Sequence, residues 1–153
     1  MPLIIRLRQI LLIGSLLAVT ASLSLADTVT DVGILLREIL QDRPVPRLPY
    51  LNRAAPMNPD SGYFKGRYGG IDISVETHPN SDLVAAILLA IPGPNRTREI
   101  LPAVSAVLGP PHSSDPTHGI YGWEWPDFRT ASVHYVAGGG DTAGQTIISI
   151  FYR

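Results

Sequence analysis

Ile71-Asp72-Ile73-Ser74-Val75-Glu76-Thr77-His78 decides how this chain is read. Successive residues of a strand point to opposite faces, so the alternation of Ile71, Ile73 and Val75 with Asp72, Ser74, Glu76 and His78 is that of a half-buried strand. Gly69-Gly70 in front of it and His78-Pro79-Asn80-Ser81-Asp82 behind it read as turns, and Tyr63–Tyr68 reads as the strand before. Leu83–Ile91 comes next and is apolar without a charge. Periodicity alone leaves such a run open between buried strand and buried helix.

The second half of the chain bears on that choice without closing it. The dipeptide Ser74-Val75 recurs as Ser132-Val133 in Thr130–Val136. That segment lies between Ile120–Trp125, with a Pro126-Asp127 turn, and Thr146–Tyr152, with a Gly138-Gly139-Gly140 loop. A helix is expected before each set of strands. Asp27–Gln41 places Val29, Val32, Leu36, Ile39 and Leu40 at helical spacing, Thr28 and Asp31 form a capping-box pattern, and Pro44 ends it. Thr97–Leu108 places Ile100, Leu101, Val104, Val107 and Leu108 on one face, with Gly109 and Pro110-Pro111 as stops and Pro102 disturbing the first turn. Each half thus reads helix, strand, strand, strand, which supports Leu83–Ile91 as a strand equivalent to Thr146–Tyr152 and leaves a buried helix as the alternative. The expected fold is α+β: two helix-strand-strand-strand units forming an antiparallel sheet with the helices packed on one face. Between the first helix and the first strand, Arg43–Gly62 holds five prolines (Pro44, Pro46, Pro49, Pro56 and Pro59). They exclude helix and central strand, so this is expected to be an extended connector on the surface.

The N-terminus carries an address. Arg6 and Arg8 precede the apolar run Ile10–Val19, and small Ser24 and Ala26 follow at the spacing a signal peptidase reads. The apolar run is much shorter than the roughly 20 residues a spanning helix needs, so residues 1–26 read as a cleaved signal peptide, leaving a single domain over 27–153 and no stable membrane span. The expected location is the periplasm or the secreted fraction. Of the 153 residues none is Cys, which removes disulfides, thiolate zinc sites, thiol nucleophiles and lipid attachment through Cys. A net charge of -1, without a basic run, gives no nucleic-acid footprint.

Three constellations bear on chemistry. His112, Asp115 and His118 form His-x-x-Asp-x-x-His between prolines: either a zinc site with an open position for hydrolysis, or a solvated turn. Asp72, Ser74, Glu76 and His78 share one strand face: either acid–base groups or the wet face of a sheet. Tyr121, Trp123 and Trp125 alternate along another strand: a recognition surface if exposed, core if they face the helices. Core is the expected placement, with the binding face then made by the other side of the sheet around Asp72, Ser74 and Glu76. No Gly-x-Ser-x-Gly elbow, phosphate-binding loop or zincin helix occurs, and no cofactor is expected.

Thr97-Arg98-Glu99, Leu108-Gly109-x-Pro111, Ser114-Asp115-Pro116 and Trp123-x-Trp125 together resemble the SmpA/OmlA-type outer-membrane assembly lipoproteins, over about residues 95–136. The resemblance implies a small helix-plus-sheet fold, shared with the tandem αβ units of beta-lactamase inhibitor protein. Those lipoproteins carry an acylated Cys after their signal; this chain has none, so no lipid anchor is expected. The function expected is an exported, non-enzymatic binding module recognising a periplasmic or cell-envelope protein or component. The alternatives are a small metal-dependent hydrolase using His112, Asp115 and His118, and a structural envelope protein.

Overall fold

A computed structural model describes residues 27–153; the signal peptide expected over residues 1–26 lies outside the described residues. Residues 27–38 form helix α1. It stops at residue 38, short of the expected Gln41, and beyond it Asp42 adopts a left-handed backbone (φ 60°) as the chain turns toward the sheet. There the amide of Asp42 donates to the carbonyl of Val84 at 2.9 Å, and Val84 donates to Arg43 at the same distance. Four strands follow: β1 (Leu51–Ala54), β2 (Tyr63–Tyr68), β3 (Ile71–Thr77) and β4 (Val84–Pro92). Helix α2 spans Thr97–Leu108 with the bounds its sequence implies. Pro102 sits inside it on the solvent side, where the carbonyl deprived of a partner, that of Arg98, can be met by water. Then come β5 (Ser113–Asp115), β6 (Ile120–Glu124), β7 (Arg129–Val136) and β8 (Gln145–Tyr152).

The eight strands make one antiparallel sheet in the order β1-β2-β3-β4-β8-β7-β6-β5. The two long apolar strands, β4 and β8, pair at its centre, and the chain therefore runs toward the middle of the sheet twice, once from each edge. The β2–β3 hairpin closes through Gly69 and Gly70, both at positive φ, as a two-residue turn whose twist matches the strands requires. Gly66 is demanded by packing: a Cβ there would collide with the backbone carbonyl of Tyr50. Both sheet edges are short and flanked by prolines. Pro49 and Pro56 bracket β1, and Pro111 and Pro116 bracket β5, which leaves little unpaired backbone for another strand to join. The connector over 43–62 thus contains an edge strand that the sequence pattern does not announce.

One hydrophobic core holds the molecule together. It joins Val32, Leu35, Leu36 and Ile39 of α1 and Ile100 and Val104 of α2 to alternate residues of the strands, among them Ile71, Ile73, Val75, Leu89, Trp123, Val133 and Ile148. Val75 and Val133, the shared members of the two Ser-Val pairs, are both fully buried. Among the described residues no helix is long and apolar enough to cross a membrane.

Candidate functional site

Directly opposed residues of neighbouring strands share a face. The register therefore draws one row across the whole sheet: Asn52, Lys65, Ser74, Leu88, Ser149, Ser132, Gly122 and Ser113. Beside it run Glu76 opposite Tyr63 and Ala86, and Asp72 opposite Arg67 and Ala90. This is the face opposite the core residues Ile71, Ile73 and Val75.

The face is polar at its flanks and apolar in the middle. Arg67 and Asp72 form an ion pair at 3.2 Å, and the Lys65 ammonium lies 5.5 Å from the centroid of the Tyr63 ring. On the other flank the hydroxyls of Ser132 and Ser149 meet at 2.9 Å, with His134 Nδ1 3.2 Å from Ser132. Between the flanks Leu88 and Phe151 are each 40% exposed, and Met57, from the β1–β2 connection, is 77% exposed above them. These three, with Tyr63, Ser74 and Glu76, line a hollow of about 160 Å³. A larger open groove, about 1130 Å³, runs beneath the connector past Arg47, Leu48, Arg53 and Phe64.

His78 leaves the row it was expected to share. The β3–β4 register shifts between Glu76 and Thr77, and His78 lies just past the end of β3. Its Nε2 is 3.0 Å from Asp42 Oδ1, and its ring centroid is 5.2 Å from that of Tyr152. The Tyr152 hydroxyl donates to the other Asp42 oxygen. That hydrogen bond, then those from His78, hold the Asp42 carboxyl below the usual carboxylate range; the same bond from the other side pushes the Tyr152 phenol up to about 12. The cluster ties the exit of α1 to the ends of β3 and β8. Sequence reasoning missed Asp42 and Tyr152, which lie too far apart in the chain for any local pattern to pair them.

The aromatic strand divides. Tyr121 and Trp123 are buried in the core, and the Trp123 indole N–H donates to the Gly109 carbonyl at 2.9 Å. Trp125 is half-buried past the end of β6, with the Arg129 guanidinium 5.1 Å above its ring and the His112 imidazole edge-on at 5.8 Å. Trp123 and Trp125 therefore do not share one environment.

The His-x-x-Asp-x-x-His loop is not gathered into one site. Asp115 and His118 meet at 2.7 Å, and Asp115 also accepts from the amides of Thr117 and His118, so its carboxyl is held below its ordinary value chiefly by the His118 side chain. His112 faces elsewhere: its Nδ1 accepts from the Glu124 amide at 3.0 Å. Among the described residues no group of three or more His, Asp or Glu side chains is placed to hold a metal ion. Comparison with protein-family models, with curated proteins and with solved structures gave no match to this chain.

Proposed function

We propose that this chain is an exported, non-enzymatic module that recognises a protein or cell-envelope component through the sheet face bearing Asp72, Ser74 and Glu76. The observation that carries the reading is the exposure of Leu88, Phe151 and Met57 together in the middle of a face otherwise lined by hydroxyls and charges. An apolar centre with a polar rim is the anatomy of a protein-recognition surface. The hydrogen-bonded sheet beneath presents it in fixed geometry, so little ordering entropy is lost on binding.

The finer architecture belongs to the same proposal: two helix-and-strand units meeting at β4 and β8, with both helices on the core face. The strand order and the entry of both helices into one core cluster support it. It also fits the resemblance to SmpA/OmlA-type lipoproteins and to the tandem units of beta-lactamase inhibitor protein, here without a lipid-bearing Cys. Cleavage after Ala26 and a periplasmic or secreted location complete the reading; intact-mass analysis of exported protein should find Asp27 at the N-terminus.

The test is Leu88→Arg. It should leave the thermal midpoint within a few degrees and abolish retention of a partner from an envelope extract. Retention unchanged by Leu88→Arg would remove this face from the account. Stoichiometric zinc in untagged protein, lost in His112→Ala and His118→Ala, would favour the hydrolase instead.

A further inference from the structure

We propose that the hollow beneath Met57 is a socket for one cationic side chain of the partner, a lysine or arginine; this rests on the face assignment above. The argument starts from size. About 160 Å³ is room for a single side chain, comparable to the engineered apolar cavity of about 150 Å³ that takes a benzene. Met57, Leu88 and Phe151 give it apolar walls, suited to an aliphatic stem or a flat guanidinium stacked on an aromatic ring.

The polar groups select the charge. Glu76 lies at the wall, half-buried, and is the one acid there; among the described residues it makes no ion pair. Of the two neighbouring cations on β2, Arg67 is paired with Asp72, while Lys65 lies over the ring of Tyr63, itself a wall of the hollow, and is not ion-paired with Glu76. Ser74 accepts from the Tyr63 hydroxyl at 3.4 Å and keeps its own hydroxyl proton, so the charge preference of the hollow rests on the Glu76 carboxylate. A carboxylate entering the hollow would meet Glu76 with like charge. An uncharged aliphatic chain would strip water from Glu76 and return nothing to it. A lysine or arginine satisfies both requirements, packing its stem on the apolar walls and bringing its head to the Glu76 carboxylate.

Amide-resolved NMR titrations of the protein with n-pentylammonium, n-pentanol and pentanoate test the assignment directly. The amides of Leu88, Ser149 and Phe151 should shift, with the ammonium binding about fivefold more tightly than the alcohol and pentanoate weakest. Glu76→Gln, with an unchanged thermal midpoint, should bring ammonium and alcohol to equal affinity while alcohol binding persists. Equal affinities in the unmodified protein, a preference that survives Glu76→Gln, or shifts confined to another region would overturn the socket. Partner capture separates this from the underlying reading. Capture lost in Leu88→Arg but intact in Glu76→Gln overturns the socket and leaves the face; capture intact in both overturns the face and the socket with it.

Discussion

Strand β3 buries Ile71, Ile73 and Val75 and sets Asp72, Ser74 and Glu76 on the opposite face, whereas β6 buries Tyr121 and Trp123 and sets Ile120, Gly122 and Glu124 there. Both strands alternate with period two, yet their conspicuous side chains end on different sides of the sheet. Alternation says which residues share a face; the free energy of burial decides which face turns inward. In β3 the apolar residues are aliphatic and the residues between them charged or hydroxylated. In β6 the two aromatics outweigh the residues between and beside them, Ile120, Gly122 and Glu124, of which only Ile120 is apolar and it stays exposed at the strand's start. Trp123 goes in because its one polar group finds a carbonyl, at Gly109, so its large ring is buried without an unmet donor. The side of the sheet left for recognition is thereby unequal, richer around β2 to β4 and β8 than around β6.

Truncations on the two faces should break this comparison if it is wrong. Trp123→Ala carries the largest expected effect: about 3–5 kcal/mol from the lost ring, and a midpoint lower by about 10 °C or more in a thermal melt. Ile73→Ala on the core side of β3 should cost about 2–5 kcal/mol, against about 1 kcal/mol or less for Leu88→Ala on the opposite face of the neighbouring strand, where it pairs with Ser74. Equal losses at Ile73 and Leu88 would mean that the two faces are not distinct in burial. Trp125→Ala, on a half-buried ring, should fall between Trp123→Ala and Leu88→Ala.

A smaller effect lies in the pH dependence. Tyr152 has its pKa raised by the hydrogen bond to Asp42, so the stability it contributes is fully present below the unfolded value near pH 10 and is lost as pH rises toward about 12. Asp42, held low chiefly by the same bond, works in the other direction, contributing above about pH 4 and losing its contribution as pH falls through its lowered value. Tyr152→Phe should therefore lessen the decline in midpoint between pH 10 and 12. Part of the decline should persist through Tyr50, whose hydroxyl donates to Glu38 at 2.7 Å and whose pKa is raised by burial and by that bond. An identical alkaline decline in the variant would show that the Asp42–Tyr152 bond does not join α1 to β8 in solution.

The long elements were legible because their signals are repeated. Ile71 to Val75 alternates several times, Ile100 to Leu108 turns through a full apolar face, and Gly69-Gly70 between two strand-like runs marks a two-residue turn that needs positive φ. Leu83–Ile91 was legible only by analogy with the second half, and it is a strand. Edge strands β1 and β5 were not legible: three or four residues between prolines cannot display a period, and their pairing depends on strands elsewhere. The candidate face was legible at Asp72, Ser74 and Glu76, which alternation alone places together. Leu88, Phe151 and Met57 were not, because they reach that face through the β4–β8 register and a loop between prolines. His78 lies past the end of β3, where the chain turns and its partner, Asp42, comes from the distant exit of α1, which no local pattern reveals.

The most direct test of the account is site-specific photo-crosslinking in living cells that make the full-length chain, with the photoreactive residue at position 88 and, in a separate strain, at position 106 on the exposed side of α2. The account predicts one discrete crosslinked species from position 88, reproducible and lost when Phe151→Glu is added, and none from position 106. Crosslinks to that same species from position 106 but not from position 88 would contradict it, placing recognition on the helices and leaving the sheet face without a role.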